Sequence, residues 1–180
     1  MIGTAALLLA IAPVAGQADA GSNVAAIDRA VAACERWLLD PASWSDDIAA
    51  FGRAEGLEPQ DRVPDVALPP PAMRMALHYW RVPVGKGGIY VTTSDRLPFC
   101  HLSGGGPADL QPAVAAAVGT PAFARHWRQT GTGERAGMTS WRFVSTADPA
   151  MTMTLSSPAS AGGPTDRVQL LATIQYQTGN

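Results

Sequence analysis

An α+β fold, with an antiparallel sheet of about six or seven strands and helices packed on one of its faces, is predicted by three observations. From Trp127 to Tyr176 the chain is a succession of strand-like runs with a two-residue period. Helical periodicity is confined to the stretch before Leu57 and to an alanine-rich segment near Leu110. The connections between strand runs are too short for parallel crossovers, which need a dozen or more residues.

The C-terminal stretch carries the pattern most cleanly. Trp141, Phe143 and Ser145 alternate with Arg142 and Val144; Met151, Met153 and Leu155 alternate with Thr152 and Thr154; Leu170, Ala172 and Ile174 alternate with Thr173 and Gln175. Trp141, Phe143, Met153, Leu155, Leu170, Ala172 and Ile174 are therefore expected to be buried together. Asp148-Pro149 and the Ser/Gly/Pro-rich residues 157–165 separate the runs as turns and loops, giving a meander.

The chain opens on an apolar run, Ala5 to Ala12, closed by Pro13 and followed by Ala18-Asp19-Ala20, the small-residue spacing of a signal-peptidase site. Residues 1–20 are read as an export signal cleaved after Ala20, and residues 21–180 as a single α+β domain. The apolar run is too short for a bilayer core of about 30 Å, and no later stretch replaces it as a membrane segment. Val31-Ala32-Ala33-Cys34 spells a lipobox, but Asp28 and Arg29 stand where its apolar region should be. A periplasmic or secreted location follows.

Export gives the cysteines their meaning. There are two, Cys34 and Cys100, and in an oxidising compartment an even pair is expected to be bridged. No neighbouring His or Cys supplies the close ligand pairs of structural zinc. Val24, Ile27, Val31, Cys34 and Leu38 recur at spacings of three and four, so Cys34 lies on the core stripe of a helix that Asp40-Pro41 ends. Ser45 reads as the N-cap of a second helix through Phe51, which Gly56 stops. The proline-rich residues 57–72 read as an extended connection.

Three strands follow: Met73 to Val82, Ile89 to Thr93 after the turn Gly85 to Gly88, and Leu97 to Leu102 bearing Cys100. Ser103 to Gly106 reads as a glycine loop, Leu110 to Val118 as a helix, and Gly119 with Pro121 as its stop before a strand around Trp127 that includes His126. The order is a helical part and a meander, twice, which suggests a degenerate duplication. It is similar to the order in small secreted inhibitor modules such as the beta-lactamase-inhibitor proteins, a likeness of arrangement that no residue motif carries.

No catalytic signature accompanies this layout, and no catalytic, cofactor or metal residues are assigned. Cys100 and His101 are strand neighbours whose side chains diverge, and Ser103, though followed by Gly104 to Gly106, lacks the glycine on both sides at fixed spacing that a nucleophile elbow requires. His78, His101 and His126 show no ligand spacing. The 13 basic and 15 acidic residues leave the chain near neutrality, with a net charge of −2, which with export argues against nucleic acid. Residues 21–73 nevertheless sit near −5 and residues 74–180 near +4. Either the two parts face each other, or the sheet offers a positive face to an anionic ligand.

The candidate binding surface is a polar sheet face containing His101, His126, Arg128 and Arg142, with Thr152, Thr154, Gln169, Thr173 and Gln175 around them. Two functions remain open. One is a non-enzymatic binding or inhibitor-like protein of the cell envelope, without cofactor, that holds a protein or a small anionic ligand. The alternative is an envelope hydrolase whose site assembles from dispersed His and Asp/Glu residues.

Overall fold

The computed structural model describes residues 15–85, 87–106, 109–162 and 168–177. Most of the expected export signal lies outside them. Helix α1 (Ala15–Leu39) already includes Ala20 and runs on without a break.

Eight strands form one antiparallel sheet: β1 (Glu58–Gln60), β2 (Leu77–Val84), β3 (Gly87–Ser94), β4 (Phe99–Gly105), β5 (Trp127–Arg135), β6 (Met138–Ser145), β7 (Met151–Pro158) and β8 (Val168–Tyr176). Their order is β1-β2-β3-β4-β8-β7-β6-β5. Each half is a four-stranded meander that runs inward from its own outer edge, and the last strand of one half pairs with the last strand of the other. The helix-plus-meander repetition suspected from the sequence is thus the architecture, with the seam at β4–β8.

The additional strand is β1, which lies within the stretch expected to be only a connection. Pro59 sits opposite Trp80 on this short edge strand, where its missing N–H costs no ladder bond on the solvent side. The rest of the connection forms 3-10 turns at Asp65–Ala67 and Pro71–Met73.

Helix α2 (Ile48–Ala54) is capped by Asp47, not Ser45: the Asp47 carboxylate accepts from Ala50 N–H at 2.9 Å. Helix α3 (Gln111–Val118) occupies the expected segment. Pro121 does more than stop it, because Thr120-Pro121 opens a further helix, α4 (Pro121–His126). The Thr120 hydroxyl accepts from Phe123 N–H at 3.1 Å, and Pro121 takes the first-turn position where a missing N–H is harmless.

The hairpin turn expected at Gly85 is present, but Gly87 and Gly88 already belong to β3, and most of the expected glycine loop, Ser103 to Gly105, is strand β4. Gly88 lies opposite Gly105 and Ile89 opposite Gly104 across the β3–β4 ladder. A Cβ on Gly87 would strike the Gly105 carbonyl, so glycine here permits close backbone approach. At the β5–β6 hairpin, Ala136 and Gly137 both have positive φ, 52° and 74°, the pairing a tight two-residue turn demands.

The four α-helices among the described residues lie against one face. The main core unites α1 (Ile27, Ala30, Val31, Cys34, Trp37), α3 (Ala113, Val114, Ala117) and α4 (Phe123) with Trp80, Val91, Leu102, Leu155, Leu170, Ala172 and Ile174 of the sheet. Trp37 stacks on Trp44 at 4.1 Å between ring centroids and meets Phe51 and Trp80 edge-on. Cys34 and Cys100 are bridged, with Cα atoms 5.4 Å apart, so the staple fixes α1 to the centre of the sheet.

Of the seven residues expected to be buried together, six are. Trp141 is only half-buried. It lies opposite Leu155 on β7 and Thr132 near the free edge. Phe123 of α4 packs on Phe143 at 5.1 Å, one rung short of full cover for Trp141.

The opposite face is unequally treated. Over β2–β4 it is crossed by the chain between β1 and β2, whose Asp65–Ala67 turn contacts β4 and whose Val63, Ala67 and Pro69, like Phe99 of β4, are buried outside the main core. Ser94 Oγ donates to the Met75 carbonyl at 2.6 Å, and Arg74 Nε to the Pro69 carbonyl at 2.8 Å, closing this strap. The equivalent connection in the second half is the tight β5–β6 turn. Nothing among the described residues crosses β5–β8.

Candidate binding face

The strand alternation and register determine which side chains share the uncovered face. One rung runs Gln175, Thr152, Val144, Arg128; the next runs Thr173, Thr154, Arg142; a third runs Leu171, Ser156, Ser140. Arg128, Arg135 and Arg142 are exposed on it. Glu134 is the one carboxylate within β5–β8, and it falls between Gly133 and Arg135, projecting from the other face.

A bulge between Gln129 and Gly131 inserts Thr130 and places Gly131 opposite Arg142. The Arg142 guanidinium lies over the bare Gly131 backbone, with its Nη2 2.8 Å from where a Cβ would be. A side chain there would lift it. Ser140 and Ser156 share a hydrogen bond at 2.7 Å. Among the described residues, the Arg128, Arg135 and Arg142 guanidinium groups form no ion pair.

The expected surface is therefore partly assembled and partly dispersed. Arg128, Arg142, Thr152, Thr154, Thr173 and Gln175 share the face. Gln169 does not: it is buried, and its amide oxygen accepts from Leu110 N–H at 2.5 Å, anchoring the start of α3. His126 ends α4 on the helix side, with Nδ1 3.1 Å from a carboxylate oxygen of Glu35.

His101 points away from the helix layer, as its position beside Cys100 requires, but it is only 3% exposed because the strap covers it. Its Nδ1 shares a hydrogen bond with Thr173 Oγ1 at 3.0 Å, while Nε2 is buried without a partner. Burial lowers its pKa from 6.5 to about 4, so it is neutral at physiological pH and contributes no charge to the face.

The histidines stand in three separate surroundings. His78 Nε2 is 3.7 Å from Asp95, beyond hydrogen-bond reach; His101 meets Thr173; His126 meets Glu35. Among the described residues no three His, Cys, Asp or Glu side chains gather at ligand distance.

Comparison with known proteins gives no matching family model, no matching curated protein and no matching solved structure. The functional reading therefore rests on the face itself.

Sequence reasoning found Arg128 and Arg142 because alternation alone fixes a strand's faces. It missed Arg135, which the β5–β6 turn brings to the same side. It also missed Glu35 as the partner of His126, 91 residues away, for which the sequence holds no local signal.

Proposed function

We propose that this chain is an exported, non-enzymatic binding domain that holds an acidic protein partner against the open face of β5–β8, in the manner of an inhibitor or adaptor. The carrying observation is that, among the described residues, half of one sheet face is left uncovered while bearing three guanidinium groups without an ion pair, a row of hydroxyls and no carboxylate. An open sheet face suits a protein surface better than a small molecule, which favours concave sites. Arginine forks match carboxylates bidentately.

The Cys34–Cys100 bridge is compatible with an oxidising, extracytoplasmic compartment. Among the described residues no helix is long and apolar enough to cross a membrane. Residues 21–180 would be the functional domain once residues 1–20 are removed. A hydrolase would need the histidines and acids to converge, and their separation gives that reading no support.

The test is capture from envelope extract by the purified parent and by an Arg128→Glu/Arg142→Glu variant, followed by identification of bound proteins. A partner held by the parent, released by moderate salt and lost with the double variant is expected. A partner retained equally by both proteins, or none captured by the parent, overturns the assignment.

A further inference from the structure

On the opposite side of the molecule a cleft of about 150 Å³ opens between α1 and α4, lined by Asp28, Val31, Ala32, Glu35, Ala122, Phe123, His126 and Trp127. Its character differs from that of the arginine face. The walls are apolar, and both carboxylates come from α1, seven residues and so about two helical turns apart on one side of the helix.

The two acids are held differently. Glu35 is 8% exposed and tied to His126, whose imidazole is at the mouth with its side chain 59% exposed. Asp28 has neither hydrogen-bond nor ion-pair partner among the described residues. Partial burial raises its pKa, which means that its charged form is under-solvated where it stands. On the wall, Trp127 is 2% exposed and its indole N–H is buried without a partner.

A half-buried carboxylate without a cation, a second carboxylate two turns away, apolar walls and two aromatic rings form one chemical pattern. An ammonium group supplies the missing charge for Asp28, meets a wall that includes the aromatic residues Trp127 and Phe123, and carries an apolar body that the alanine and valine walls can cover. An anion would meet two carboxylates, and a neutral apolar ligand would leave Asp28 unpaired.

We propose that the α1–α4 cleft is a binding site for a small organic cation, an ammonium group on a short apolar body, with Asp28 as its charge partner. The site is separate from the arginine face and does not depend on its role.

Titration of the parent protein with hexylammonium chloride, followed by two-dimensional NMR, tests this, with hexanol and hexanoate as probes of equal chain length. Saturable binding of hexylammonium is expected, with the Trp127 indole and Phe123 signals shifting. Asp28→Asn should weaken it on the order of tenfold, as loss of a partly buried charge partner does. Ala122→Leu, which fills the cleft and keeps both acids, should abolish it. The spectra of both variants report that the fold is intact. Equal binding of hexanol, undiminished affinity in Asp28→Asn or in Ala122→Leu, or no saturable binding of hexylammonium to the parent overturns the proposal.

Discussion

Burying the His101 imidazole beneath the strap makes the stability of the fold depend on pH. The folded pKa, about 4, lies below the 6.5 of the free side chain, so between those values the unfolded chain binds the proton and the folded chain does not. Stability from the neutral, buried ring is therefore complete above pH 6.5 and is lost as pH falls toward 4, by up to about 3 kcal/mol. Urea unfolding between pH 7 and 4 should show that loss in the parent and less of it in His101→Gln; equal slopes would exclude this histidine as the cause. Core residues separate in the same way by local cover. Phe143→Ala should cost about 3–5 kcal/mol, since Phe143 is 2% exposed beneath Phe123. Trp141→Ala, at a half-buried site, should cost clearly less in the same unfolding measurement.

At the scale of elements, α1 is the part most dependent on one covalent link. It packs on β2, β3, β4 and β8 and on α3, and the bridge joins positions 66 residues apart. Removing both thiols as Cys34→Ala/Cys100→Ala should lower stability by about 4 kcal/mol on the chain-entropy account of a loop this long. Chemical denaturation measures it, and mass spectrometry of the unreduced protein should show one bridge as a deficit of about 2 Da. Two alkylatable thiols in protein recovered without reductant would contradict the staple. The strap, β1 and α4 have in common that proline opens or punctuates each of them. Pro59, Pro64 and Pro121 were legible as breaks, but a break does not say whether an edge strand, a 3-10 turn or a capped helix follows. Thr120 before Pro121 was the one local sign that a helix resumes.

Across the whole molecule, charge and cover are arranged together. The acidic N-terminal part supplies α1, α2 and the strap, while the arginines at 128, 135 and 142 lie on the face of β5–β8 turned away from the helices, which the strap does not reach. Both sides of the charge asymmetry are visible: α1 of the acidic part packs on the sheet, and three exposed arginines stand on its other face. Glu58–Arg81 and Glu35–His126 are the ion pairs that cross between the parts among the described residues. The duplicated plan explains why the face is open: the first half carries a long β1–β2 connection, and the second replaces it with a two-residue turn. If export is as the first twenty residues indicate, intact-mass spectrometry of the extracytoplasmic fraction should find a chain that begins at Gly21 or within a few residues of it. That cut would shorten α1 and leave its core contacts from Val24 onward in place. Full-length protein in the cytoplasm alone would oppose it.

The sequence by itself determined the fold class, the faces of the C-terminal strands, the core stripe of α1 and the cysteine pairing. Each depends on a short period or on a count, which neighbours along the chain decide. Only the tertiary structure decided which polar positions reach solvent. His101, Gln169 and Arg142 all occupy strands, yet the strap buries the first, the start of α3 claims the second, and the third stays free over Gly131. The same holds for the cleft, since Asp28 and Glu35 meet His126 and Trp127 only because α1 and α4 lie side by side on the sheet. Contacts between residues so distant in sequence depend on how layers stack, and no local pattern encodes them.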